Sequence, residues 1–356
     1  MRKILHGFFA SLLTIICIVP FTFSQTVSFS GDWENGITGA GNWKYLQSMA
    51  ADRFLRVTSP VRQGQYAARV EVRPGDDPIN SSGERAEVLV MSDAAGTAMY
   101  EAEASGTQFY AFSVRLDTSW QAPAADADGA WAIIFQLHGP DVLAASPSVA
   151  VSVQDRFSVD LNSGDLDSAG KSLRWKSYPL SSSGLDLGHW VDLVLQTKFA
   201  KDFTGSVTAW RRDEGQADFS QVLALVNVPT LQYKSSLGGV GNHYWKHGFY
   251  RSKQTTITNI LWLDGLTRGD SYGAVVNAAF AGTMAARPFP HPYTVAYGEN
   301  IGCRIQMMNL LGQRMGDKRY AKQANGDGNA LQSSGCYLIA GQSASNRIIG
   351  KIFQVR

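Results

Sequence analysis

Short β-like runs follow one another along this chain, bounded by Gly, Pro, Asn, Asp and Ser, and no long stretch between them repeats apolar residues at helical spacing. The runs fall at residues 66–72, 87–91, 108–116, 132–137, 149–153, 157–161, 190–199, 206–211, 222–228, 244–251 and 256–264. Val153-Gln154-Asp155-Arg156-Phe157 reads as the turn of a hairpin between two of them. Strands this short bury their apolar faces by packing sheet on sheet, so the pattern predicts an all-β sandwich or jelly roll. Thirty-five glycines and 11% aromatic residues agree with a turn-rich β architecture. A length of 356 residues, 44% hydrophobic and 17% charged, suffices for one large domain and a small one.

Three of the segments carry polar residues at a spacing of two, which on a strand places them on one face. His243-Tyr244-Trp245-Lys246-His247-Gly248-Phe249-Tyr250-Arg251 directs Tyr244, Lys246, Gly248 and Tyr250 one way and Trp245, His247 and Phe249 the other. Gly248 leaves a slot between a cation and a phenol. Gly83-Glu84-Arg85-Ala86-Glu87-Val88-Leu89-Val90 puts Arg85 and Glu87 together. Ala130-Trp131-Ala132-Ile133-Ile134-Phe135-Gln136-Leu137-His138-Gly139 does the same for Gln136 and His138. Singly, each is an ordinary half-buried strand. Arg85–Glu87 is then a surface cross-strand pair worth little, Gln136 a core amide, and His138 a turn cap before Gly139-Pro140.

Taken in order, the arginine-x-glutamate, glutamine-x-histidine and lysine-x-glycine-x-tyrosine strands resemble those of jelly-roll polysaccharide lyases: closely those of the alginate lyases, more loosely those of the heparin lyase I-like group. Residues 60–76 also resemble the early strands of the latter. The likeness runs from Phe29 to Gly269. It implies a concanavalin-like β-jelly roll and a uronate polysaccharide as substrate; the net-acidic charge of the main domain, counted below, favours alginate or glucuronan over heparin or heparan-type chains. Fold alone does not name the substrate.

The expected reaction is β-elimination, in which a base removes the C5 proton of a uronate and the C4 oxygen leaves. Charge then develops on the carboxylate, and donors aimed at it stabilise the transition state. Arg85 supplies a bidentate fork and Gln136 an uncharged amide for that task. His138 has the pKa range of a base. Tyr250 stays protonated until the leaving oxygen needs its proton. The likeness implies that Tyr250 can serve as both base and acid when the C5 proton lies on the leaving-group side. Lys246 is expected to stabilise a transient phenolate, and Glu87 to orient Arg85. Lys246, Glu87, Arg251 and Tyr244 complete the expected substrate-binding set. His243 and His247 do not read as a metal pair, since no acidic cluster accompanies them. The chemistry asks for no redox cofactor and leaves room for a structural calcium. Two other classes are weighed. A glycoside hydrolase needs a carboxylate pair, and the motif strands offer only Glu87 as an obvious one on the face of the other candidates. A non-catalytic glycan-binding sandwich would bind without forming unsaturated product. Trp33, Trp43, Trp131, Trp175, Tyr178 and Trp245 are sugar platforms or, more commonly, core.

The two ends read differently. Met1-Arg2-Lys3 and the apolar run to Phe23 resemble a secretory signal peptide cleaved near Ser24-Gln25, so a secreted or cell-surface protein with no membrane span in its mature form is expected. The domain is expected over residues 25–272 and a linker over 273–292, where Ala, Gly and Pro crowd. Residues 293–356 resemble a type IX secretion sorting domain, with the secretion machinery as partner; an appended carbohydrate-binding module is the alternative. Cys303 and Cys336 read equally as a disulfide and as two free thiols. Residues 276–356 hold nine basic and three acidic residues, whereas residues 25–275 hold twenty-one and twenty-seven, a net of −6. A net-acidic main domain argues against nucleic acid and densely sulfated partners. A monomer is expected.

Overall fold

The computed structural model describes residues 25–281, apart from 81–82, 128, 171, 173–175 and 238–240, and the backbone of four strands between 304 and 355. In chain order the strands of the main body are β1 Val27–Gly31, β2 Trp43–Ser48, β3 Phe54–Val57, β4 Ala67–Val72, β5 Gly83–Met91, β6 Thr107–Leu116, β7 Ala132–His138, β8 Val149–Val153 and β9 Phe157–Leu161. There follow β10 Gly164–Asp165, β11 Lys176–Pro179, β12 Trp190–Lys198, β13 Ser206–Asp213, β14 Ser220–Val226, β15 Gln232–Tyr233, β16 Tyr244–Ser252 and β17 Asn259–Gly269. One sheet runs β11-β9-β8-β7-β16-β5-β2, and the other β14-β13-β12-β6-β17-β4-β3 with β1 also on β17. The pairings within both sheets are antiparallel. The expected two-sheet sandwich is thus the observed fold.

Alternation builds the core. Ala86 and Val88 of β5, Phe135 and Leu137 of β7, Val149, Val151 and Val153 of β8, and Trp245 and Phe249 of β16 point inward. They meet Phe112 and Val114 of β6, Leu193 and Leu195 of β12, and Leu261 and Leu263 of β17. Each such large side chain contributes roughly 1.5–3 kcal/mol by leaving water. Trp245 stacks on Phe135 at 4.2 Å and reaches Tyr110 of the opposite sheet at 4.6 Å, which joins the layers directly behind the motif strands. His247 is also inside, flanked by Trp33 and Trp43, with Nδ1 3.0 Å from the Ile134 carbonyl. Trp33, Trp43 and Trp245 are therefore core, Tyr178 packs against it, and Trp175 lies outside the described residues.

The domain boundary needs correction. Gly273 does not begin a linker; it lies in a helix, α1 Tyr272–Phe280, whose N-cap Ser271 accepts a hydrogen bond from the Ala274 amide. Val275, Val276, Ala279 and Phe280 repeat at helical spacing and pack with Ala111, Val194 and Trp210 on the outer face of the larger sheet. Alanine and glycine richness suits a linker and a short buried helix alike, and only the sheet face beneath it distinguishes them. The main body accordingly extends to residue 281.

Four further strands, β18 Arg304–Met308, β19 Arg314–Arg319, β20 Gly335–Gln342 and β21 Ile348–Val355, form an antiparallel sheet of their own. The expected signal peptide at 1–24, Cys303 and the rest of the 282–303 segment lie outside the described residues, as does the Cys336 side chain.

Candidate active site

β5, β16 and β7 are neighbours in the smaller sheet, so the three motif strands lie side by side with β16 in the centre. Tyr250 stands opposite Arg85, Lys246 opposite Gln136, and Tyr244 opposite His138. All are on the outer face, because Trp245, Phe249, Ala86, Val88 and Leu137 occupy the core side. A bulge between His247 and Tyr250 breaks the β16–β7 register. Gly248 sits in it with φ 151°, and a Cβ there would lie 2.3 Å from the Ala86 carbonyl oxygen. Only glycine permits this approach of β5, so the slot serves the backbone rather than a ligand.

Glu87 is the organiser of the site. It is 1% exposed, accepts a 2.5 Å hydrogen bond from Gln136 Nε2, and holds its second oxygen 3.6 Å from Arg85 Nη1. One carboxylate thereby fixes both donors expected to receive the substrate carboxylate. A carboxylate here repels the carboxylate of a uronate, so Glu87 serves as the anchor of Gln136 and Arg85 and not as a substrate-binding group. Arg251 is a second correction. It lies on the inner face, fully buried, with Nε and Nη2 3.0 and 2.8 Å from Glu84 Oε2 and further bonds to Asn259 and the Ile257 carbonyl. Alternation counted from Tyr250 already places it there.

His138 is half-buried at the end of β7, with Nδ1 2.6 Å from the Gly139 carbonyl. A carbonyl only accepts, so Nδ1 carries the proton and Nε2 keeps the lone pair. Burial, then the positive charge of Lys246, lowers its pKa to about 4, against a weaker upward pull from the Gly139 bond and Asp141. The imidazole is therefore neutral at neutral pH. Burial also pushes the Lys246 ammonium down and the Tyr244 phenol up. Tyr244 lies beside His138, ring centroids 5.2 Å apart.

The cation against Tyr250 is Arg85, whose guanidinium carbon lies 4.0 Å from the ring centroid; Trp131 flanks the same ring at 5.7 Å. The expected pairing of Lys246 with that phenol is not what the fold builds. Lys246 Nζ donates instead to Gln47 Oε1 at 3.4 Å and lies 5.9 Å from the Tyr244 ring. Gln47 and Asp141 are site residues that the sequence did not single out, whereas Trp131, one of the candidate sugar platforms, stands beside Tyr250. Gln47 comes from the edge strand β2, 199 positions from Lys246, and no local pattern marks it. Among the described residues no group of three His, Cys, Asp or Glu side chains is placed to hold a metal ion.

The arrangement joins a guanidinium and an amide held by one buried carboxylate, a neutral imidazole with a free lone pair, and a phenol under a cation. Among solved structures, the chain is similar to an endo-β-1,4-glucuronan lyase from the fungus Trichoderma reesei, at 19% identity over 70% of this chain and 98% of that one, TM-score 0.53. It is also similar to a GH131 β-glucanase catalytic domain from Podospora anserina, at 12% identity over 72% and 100%, TM-score 0.47. A third likeness is to alginate lyase Aly36B, at 12% identity over 68% and 96%, TM-score 0.44. At these identities the likeness is one of fold. No curated protein matches the chain. The polysaccharide lyase family model matches residues 31–267, more than half of the chain and the whole span of the motif strands, so the protein belongs to the polysaccharide lyase family and is a lyase.

Proposed function

We propose that this lyase cleaves a uronate polysaccharide by β-elimination, with glucuronan and alginate as the first substrates to test, and that it acts outside the cell. The observation that carries this is the shared anchoring of Arg85 and Gln136 on buried Glu87 beside the lone pair of His138. A uronate carboxylate received by Arg85 and the second Gln136 N–H stays neutralised as charge moves onto it. His138 Nε2 takes the C5 proton, that C–H electron pair becomes the C4–C5 double bond, and the C4–O bond breaks. The Tyr250 hydroxyl protonates the departing oxygen, and Arg85 is the cation its phenolate meets. The bound carboxylate also brings a negative charge towards His138, which strengthens a base that the empty site holds weak. Where the C5 proton faces Tyr250, the phenol performs both transfers. The export assignment rests on the leader-like residues 1–24 and the sorting-like residues 293–356.

The test is a panel of glucuronan, alginate, heparin and heparan sulfate followed by ultraviolet absorbance of the unsaturated product. At least one polymer should give it. Binding without absorbance would make the protein a glycan-binding module, and reducing ends without absorbance would make it a hydrolase. The hydrolase outcome is disfavoured because a canonical hydrolase needs two working carboxylates, and of Glu87 and Asp141 the first is already held against Arg85 and Gln136.

A further inference from the structure

One row of residues crosses the entire smaller sheet in register. From one edge to the other it reads Tyr45, Leu89, Lys246, Gln136, Ala150, Asp160 and Ser177, one residue from each strand. Lys246 and Gln136 belong to the site described above. The row is lopsided about them. On the far side come Ala150 and polar Asp160 and Ser177; on the near side come Leu89, 9% exposed, and Tyr45, 55% exposed. Tyr45 is thus a large aromatic side chain held in solvent on the same row as Lys246 and Gln136.

Its placement is fixed by more than register. Tyr45 and Gln47 are two apart on β2 and share a face. Gln47 stands opposite Glu87 and accepts the hydrogen bond from Lys246, so this face of the edge strand is already tied to the site. At about 4.8 Å between strands, Tyr45 lies two strands, or roughly two sugar units, from Lys246. Leu89 floors the interval with an apolar surface. A pyranose has an apolar face of C–H groups and a rim of hydroxyls, and an exposed phenol ring beside an aliphatic side chain complements that face without needing charge.

We propose that Tyr45, with Leu89 beneath, is a stacking platform for a pyranose ring of the same polysaccharide chain, roughly two units from the one held at Lys246 and Gln136. The assignment rests on the uronate polysaccharide proposed above. Tyr45 binds and does not react, so it governs how long a substrate the protein grips and not the chemical step.

The experiment compares Tyr45→Ala, Tyr45→Phe and Tyr45→Trp on polymeric glucuronan or alginate and on the shortest oligosaccharide still cleaved. Tyr45→Ala should raise KM for the polymer by roughly three- to tenfold, the scale of an aromatic contact, with kcat unchanged. The increase should vanish on the shortest substrate, and Phe and Trp should restore the wild-type value. An unchanged polymer KM, an equal loss on the shortest substrate, or a Tyr45→Phe protein as weak as Tyr45→Ala would overturn the platform. The side chain is exposed, so folding is not at risk. If the wild-type protein forms no unsaturated product from any uronate, β-elimination has failed. Tyr45 is then decided by retardation in gels containing the same polymers. Weaker retardation of Tyr45→Ala than of wild type and Tyr45→Phe upholds the platform, and equal retardation overturns it.

Discussion

Arg85 and Tyr250 face each other across the β5–β16 ladder, the guanidinium carbon 4.0 Å from the centre of the phenol ring. Arg85 is in turn held by Glu87, which also holds Gln136. A single buried carboxylate therefore sets the position of the donors for the substrate carboxylate and, through Arg85, the charge beside the proposed acid.

Tyr250→Phe removes one hydroxyl and keeps the ring that packs between Arg85 and Trp131. Folding should be unchanged. Turnover should fall by about a hundredfold or more, the scale of general acid–base catalysis. KM should move little, because the lost interaction belongs to the transition state. Steady-state kinetics on the responsive polymer checks this, and a variant retaining most of its turnover would leave the leaving oxygen without its assigned proton donor.

The pH profile should carry the signature of His138. Burial and then the Lys246 charge hold its pKa at about 4, so the base form is present above that pH and is lost as pH falls through it. Lys246→Met removes one of the forces depressing the pKa. The pKa should rise, and the acid limb of kcat/KM should move towards neutrality. A limb that stays in place, measured on the same substrate, would separate Lys246 from the base.

Arg251→Met tests the reassignment of that residue. The change leaves the Glu84 carboxylate buried without its cation. Breaking such a pair costs about 3–5 kcal/mol, which should appear as a lower midpoint in urea. Activity per folded molecule should be retained, because the side chain lies on the face opposite the site. A stable variant with raised KM would return Arg251 to the substrate.

Truncation should depend sharply on the cut. Ending the chain after Ala281 keeps α1 on its sheet, and the lyase body should stay soluble and active. Ending it after Ser271 uncovers the Ala111, Val194 and Trp210 surface and deletes Val275, Val276 and Phe280. Each of those three contributes roughly 1.5–3 kcal/mol of burial, so this shorter protein should aggregate or melt early. Thermal unfolding of the two products distinguishes them.

The sequence by itself determined what depends on the alternation of a strand. Arg85 with Glu87, Gln136 with His138, and Tyr244 with Lys246 and Tyr250 share faces because side chains point to opposite sides at a period of two, a property of the local backbone. The all-β architecture was legible for the same reason. What only the tertiary structure decided is register between strands distant in the chain. Register set Arg85, not Lys246, against Tyr250, brought Gln47 from an edge strand to Lys246, and put Tyr45 on the same row two strands away. It buried Glu87 beneath two donors and paired Arg251 with Glu84, 167 positions away. Pairings of that range are selected by the summed packing of both sheets, and no window of sequence contains them.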